Sequence, residues 1–172
     1  MSGQGGVVTA VVATAPDDQG RLGVRYPWLP QGETLPPVYA PVAAALAGTS
    51  RGAWLMPEEG DEVLVAFERG DWNRPFVVGF LWNGAHAPPE TDRRNRVIVT
   101  PGGHTLRFED GDAKKVVLRT AGGHSVTLDD AGGSATVSVP GGASSVVLEA
   151  SQVTIRGGGH SITLSASGVA IT

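Results

Sequence analysis

The sequence predicts an all-β protein in two parts, a small closed barrel followed by a stack of repeated β units. Three observations predict it. The chain holds 25 glycines and 12 prolines with only 17% charged residues, a balance that suits many short strands and turns. Helical periodicity is nearly absent, and the best helical candidate, residues 42–46, is short and alanine-rich. Third, a Gly-Gly-His phrase recurs through the second half, at Gly102-Gly103-His104, Gly122-Gly123-His124 and Gly158-Gly159-His160. A degenerate copy, Gly141-Gly142-Ala143, lies between the last two. Repetition at this spacing marks supersecondary units that cannot bury an apolar face alone and must stack.

Five valine- and aromatic-rich segments divide the first half: residues 6–13, 21–26, 51–56, 62–68 and 76–82. Asp17-Asp18-Gln19-Gly20 reads as a tight turn between the first two. Pro57-Glu58-Glu59-Gly60-Asp61 and Arg69-Gly70-Asp71 punctuate the later ones. Five short strands in this length fit a closed barrel of the OB-fold kind, spanning residues 5–84. Residues 85–96, with a double proline and a polar run ending Arg93-Arg94-Asn95-Arg96, read as a linker.

From residue 97 to 172 the alternation assigns faces. His104, Leu106 and Phe108 share one face, and Thr105, Arg107 and Glu109 the other. The same parity puts Val116, Leu118, Val126, Leu128, Val137, Val139, Val153, Ile155, Ile162 and Leu164 in the apolar row, continued by Val169 and Ile171. Each strand thus has one dry and one wet face. No amphipathic helix in this half can cover the dry face. Either the chain coils as a monomeric β-solenoid, or several chains meet around a common axis. Pattern alone leaves both open. The strand pattern runs through Gly168, Val169, Ala170, Ile171 and Thr172, so the last layer is expected to be covered by another protein.

A net charge of −4 disfavours general nucleic-acid binding. The chain has no cysteine, which excludes disulfides and thiolate metal sites. No apolar run is long enough to span a bilayer, and the N-terminal residues lack a signal-peptide pattern, so export is expected to depend on a machine or on lysis. His104, His124 and His160 could form three-fold rings that hold a metal, but no His-x-His pair or companion carboxylate supports this, so hydrogen bonding to neighbouring backbone is the expectation. Glu58, Glu59, Asp61 and Glu62 are neighbours in one turn, a poor geometry for paired acid chemistry. Arg93, Arg94 and Arg96 read as a solvated junction or as ion-pair partners of a neighbouring chain. Trp28, Trp54, Trp72 and Trp82 are candidates either for an oligomer-binding groove or for packing between barrels. No nucleophile-elbow, Walker or Rossmann phrase is present, and no cofactor or catalytic residue is expected.

The stretch from Met56 to Gly84, with Pro57-Glu58-Glu59-Gly60-Asp61-Glu62-Val63-Leu64-Val65, Arg69-Gly70-Asp71 and Arg74-Pro75-Phe76-Val77-Val78-Gly79, closely resembles the OB signature of phage baseplate assembly protein V and the related VgrG spikes of type VI secretion. Gly20 to Pro27 resembles the second strand of that fold, and His104 to Asp110 the start of the family's spike helix. The resemblance implies a structural, non-enzymatic central spike of a contractile tail or injection particle, built as a homotrimer with a C-terminal intertwined β-prism. The apolar row becomes the trimer core, and a shaft of about 40 Å follows from eight or so strands. It implies a separate baseplate hub protein at the barrel end and a PAAR-type tip protein on Gly168 to Thr172. It also implies transient contact with the target envelope, and assembly in the bacterial cytoplasm before delivery outside. The linker is too short for the lysozyme that some phage spikes carry there. The rival reading is a carbohydrate- or nucleic-acid-binding OB module on a monomeric solenoid stalk.

Overall fold

The computed structural model describes residues 6–172, which form two compact units dividing between Ala87 and Pro88. The first unit holds β1 (Val7–Thr14), β2 (Arg21–Arg25), β3 (Val38–Pro41), β4 (Ala47–Gly48), β5 (Arg51–Gly52), β6 (Glu62–Phe67) and β7 (Pro75–Leu81). Five of them make one antiparallel sheet in the order β3-β2-β1-β6-β7. It closes on itself where the residue after β3, Val42, bridges Val77 in parallel and Ala43 N–H donates to the Val77 carbonyl at 2.8 Å. Closure removes free edges and gives the barrel its inside.

Alternation along the strands fills that inside. Ala10 and Val12 from β1, Leu22 and Val24 from β2, Ala40 from β3, Val63 and Val65 from β6 and Val77 from β7 are buried together with Tyr26. Small β-branched side chains suit the narrow interior. Gly23 is buried too, because β1 shifts register between Val12 and Thr14 and brings Thr14 Oγ1 over it; a Cβ at Gly23 would overlap that oxygen. The turn before β2 is built by Asp17. Its Oδ1 accepts from Gln19 and Arg21 N–H, and its Oδ2 accepts from Arg21 Nε at 2.8 Å. The Arg21 guanidinium, foremost among these donors, holds the Asp17 carboxyl below the usual range.

One expectation for this unit needs correction. The third barrel strand is Val38–Pro41, not residues 51–56. Only Arg51–Gly52 is extended there, paired with Ala47–Gly48 in a small arm, and Trp54 and Leu55 stand 67% and 61% exposed. Val38–Pro41 is bounded by prolines and contributes a single inward side chain, Ala40, so it carries little strand signal. Residues 42–46 are not helical. Pairing of Val42 and Ala43 with β7 takes the backbone groups that a helix would need.

The second unit is a single sheet of nine strands: β8 (Asn95–Val99), β9 (Thr105–Glu109), β10 (Lys115–Arg119), β11 (Ser125–Asp129), β12 (Ser134–Ser138), β13 (Ser144–Glu149), β14 (Gln152–Gly157), β15 (His160–Ser165) and β16 (Gly168–Ile171). Each strand pairs antiparallel with the next in sequence, so the order is a plain meander. This decides against the monomeric solenoid. A solenoid needs coils that return in the same direction, and here every connection is a hairpin. The Gly-Gly-His phrase is the corner of every second hairpin. Thr100 and Thr120 build equivalent corners, each hydroxyl accepting the N–H of the histidine four residues on at 3.1 Å. The last corner tightens to Gly158-Gly159, both at positive φ, as a two-residue hairpin turn requires.

The barrel core carries the first prediction. Leu22→Ala removes the largest fully buried side chain of the barrel. It is expected to destabilise that unit by about 2–5 kcal/mol in denaturant unfolding. An unchanged midpoint would contradict the assignment of Leu22 to the core.

Candidate functional site

Strand register resolves the C-terminal sheet into rows. On one face, Ile98, Leu106, Leu118, Val126, Val137, Val146, Ile155, Ile162 and Ile171 lie side by side across all nine strands. Beside them run Phe108, Val116, Leu128, Ala135, Leu148, Val153, Leu164 and Val169. The opposite face has a middle row of Arg107, Val117, Thr127, Thr136, Val147, Thr154 and Thr163, flanked by serines and charged side chains.

Exposure is inverted relative to a folded core. Leu118 is 53% exposed, Leu128 49% and Ile171 74%, while Thr154 on the polar face is 6% exposed. Two contiguous apolar rows on one face of a single-layer sheet form a patch far beyond the scattered apolar residues of an ordinary surface. Burying each such side chain is worth about 1.5–3 kcal/mol. Leu118, Val126, Val137, Val146 and Ile155 line a shallow concavity in the middle of this face.

Every residue of the expected apolar row lies on this face except for one displacement. Val139 lies beyond the end of β12, in the corner position that Thr100 and Thr120 occupy in the earlier hairpins. The strand position opposite Leu128 belongs instead to Ala135. Val146 and Leu148 were not among the expected core residues. The run Val146-Val147-Leu148 does not alternate, and only the register of β13 against β12 fixes which members face which way. Ile98 was not among the expected core residues either; the register of β8 against β9 sets it opposite Leu106.

His104, His124 and His160 sit at hairpin corners, all on one edge of the sheet. His104 Nδ1 accepts the N–H of Ala121 at 3.2 Å, a bond to neighbouring backbone. Among the described residues no three metal-ligating side chains converge. The acidic turn of the barrel is likewise structural. Glu59 accepts from Ala15 N–H, Asp61 from Glu58 N–H and Glu62 from Asn83, so the carboxylates diverge. Of the tryptophans, Trp28 and Trp72 join Tyr26 and Phe67 in a ladder of ring contacts at 4.5–6.1 Å, with Trp28 Nε1 donating to the Thr9 carbonyl. Trp54 and Trp82 stand largely free, at 67% and 70% exposed.

The segment read as a linker is pinned at its C-terminal part. Glu90 accepts from the N–H groups of Asp92 and Thr91, from Asn95 Nδ2 at 3.0 Å and from Arg107 at 2.7 Å. The two backbone donors first, then Asn95, hold its carboxyl down to about 2. Asp92, bonded chiefly by Arg94 at 2.9 Å, is also held down to about 2. Arg96 pairs with Asp110 at 3.2 Å within the same chain.

The first unit is thus a small closed barrel, and the second a single-layer sheet whose apolar face is left exposed among the described residues. Residues 4–82 match the family model described as the type VI secretion system/phage-baseplate injector OB domain. Residues 95–158 and 115–172 match the phage baseplate V C-terminal trimerisation domain. The chain belongs to the phage baseplate V and VgrG-like family of injector spikes. It is 33% identical over 122 residues to the type VI secretion system spike protein VgrG4b of Pseudomonas aeruginosa, covering 61% of this chain and 15% of that protein. It is 27% identical over 109 residues to the actin cross-linking toxin VgrG1 of Vibrio cholerae, covering 58% and 10% respectively. The chain therefore spans only a small part of the length of these relatives.

Two expectations follow from this geometry. Ile155→Asp, which sets a charge in the apolar row, should shift the protein to smaller species on size exclusion, whereas Thr127→Asp on the other face should not; equal behaviour would contradict the face assignment. Second, Glu90 should titrate with a midpoint near 2 by carboxyl NMR. Its folded pKa is depressed, so its stabilising contribution is present above the ordinary value of 4.5 and is lost as pH falls towards about 2. A midpoint near 4.5 would show that the network around Glu90 does not form.

Proposed function

We propose that this chain is the structural central spike of a contractile tail or injection particle, acting as a homotrimer and not as an enzyme. The observation that carries the reading is the uncovered double apolar row in a domain of the trimerisation family. Three copies placed about one axis bury all three apolar faces against each other and leave the threonine- and serine-rich faces in water. The trimer core is then Leu106, Phe108, Val116, Leu118, Val126, Leu128, Val137, Val153, Ile155, Ile162 and Leu164, with Ile98, Val146 and Leu148 added and Val139 moved to a corner. In a three-sided prism the corners lie farthest from the axis, so His104, His124 and His160 form no axial ring in this reading.

The mechanism is mechanical. Piercing needs a shaft that resists bending and unfolding under load. A continuous antiparallel ladder satisfies its backbone groups along the whole length, and the core couples each sheet to two others. The outer face carries small hydroxyl side chains, which present little bulk to an envelope. The barrel unit is the attachment point for a baseplate hub protein, and exposed Trp54, Trp82 and Phe80 are the side chains best suited to that contact. A PAAR-type tip protein docks on β16, where Gly168, Val169, Ala170 and Ile171 are all exposed. Assembly takes place in the cytoplasm, and contraction delivers the spike outside.

The test uses the purified full chain and a PAAR-type tip protein. Light scattering of the mixture is expected to show one tip per three chains, and Ala170→Asp with Thr172→Asp, both off the apolar rows, is expected to abolish the complex. Tip binding that survives both substitutions, or no tip binding by the parent, would overturn docking on β16.

A further inference from the structure

The two edges of the C-terminal sheet carry different charges. The edge formed by the Gly-Gly-His corners holds Arg119 and Arg156 and no carboxylate. The edge formed by the other hairpin turns holds Glu109, Asp110, Asp112, Asp129, Asp130 and Glu149, against Arg94, Arg96, Lys114 and Lys115. Part of this acidity is met within the chain: Glu109 by Arg107, Asp110 by Arg96 and Asp129 by Lys115. Among the described residues, Asp112, Asp130 and Glu149 have no cationic partner, and neither Arg119 nor Arg156 has an anionic one.

Copies related by a rotation axis along the stacking direction cannot place like edges together. Each copy must turn one edge towards the opposite edge of the next, head to tail around the ring. We infer that the arginine edge of one copy pairs with the carboxylate edge of the next, so that Arg119 meets Asp112 or Asp130 and Arg156 meets Glu149 at the three vertices. The levels agree. Arg119 ends β10, between the turns that hold Asp112 and Asp130, and Arg156 lies on β14, one strand from Glu149 on β13. With strands about 4.8 Å apart, every partner lies within the reach of an arginine side chain. The pairing gives the assembly its direction: a flipped copy would set carboxylate edge against carboxylate edge.

This inference rests on the trimer reading, and the test separates the two. Three full-length variants are compared with the parent: Arg119→Glu with Arg156→Glu; Asp112→Lys with Asp130→Lys and Glu149→Lys; and all five together. Thermal dissociation of the oligomer is followed at low salt and at about 1 M NaCl, where charge interactions are screened within about 3 Å. Each one-edge reversal is expected to lower the dissociation midpoint by several degrees, the five-fold swap to recover most of that loss, and high salt to remove the difference. A trimeric parent whose midpoint is unmoved by either reversal, or a swap no more stable than its parts, would overturn the edge pairing. A monomeric parent would overturn the trimer itself.

Discussion

A nine-stranded single-layer sheet with two apolar rows on one face cannot be stable in water by itself. Everything about the C-terminal unit depends on that constraint. The meander uses nearly all of its backbone hydrogen-bonding capacity along the stack, yet it gains no core, because this unit has no second layer among the described residues. Seventeen side chains in two rows, from Ile98 to Ile171, face outward from the sheet with nothing above them. The rest of the design follows: tight glycine corners keep the edges thin, and the opposite face is largely threonine, serine and charged side chains.

The barrel solves the same problem within one chain. Its five strands close through the parallel bridge from Val42 to Val77, and eight aliphatic side chains with Tyr26 suffice to fill the interior. The two units therefore differ in their source of stability: closure for the barrel and, in the proposed trimer, assembly for the sheet.

Much of the second unit was legible in the sequence because strand alternation is a local signal. His104-Thr105-Leu106-Arg107-Phe108 already places Leu106 and Phe108 on one face, and the register agrees. Legibility failed where the signal is not local. Val146-Val147-Leu148 has no alternation, and Val139 shares the parity of Val137 but falls in a turn. In the barrel, Val38–Pro41 was passed over in favour of residues 51–56, which look more strand-like. Tertiary closure decided the outcome: β3 needs only one inward alanine and a partner in β2, whereas Trp54 and Leu55 face outward. The edge charges were visible residue by residue, but their separation onto opposite edges emerges only once the hairpin turns are known.

The central claim is that the uncovered face is filled by two further copies of the same chain. The absolute mass of the purified full-length protein by multi-angle light scattering tests it most directly. The account predicts a mass three times that of the 17.7 kDa chain, retained on dilution and in mild detergent. A stable, well-folded monomer would contradict it, because among the described residues the rows from Ile98 to Ile171 are left exposed.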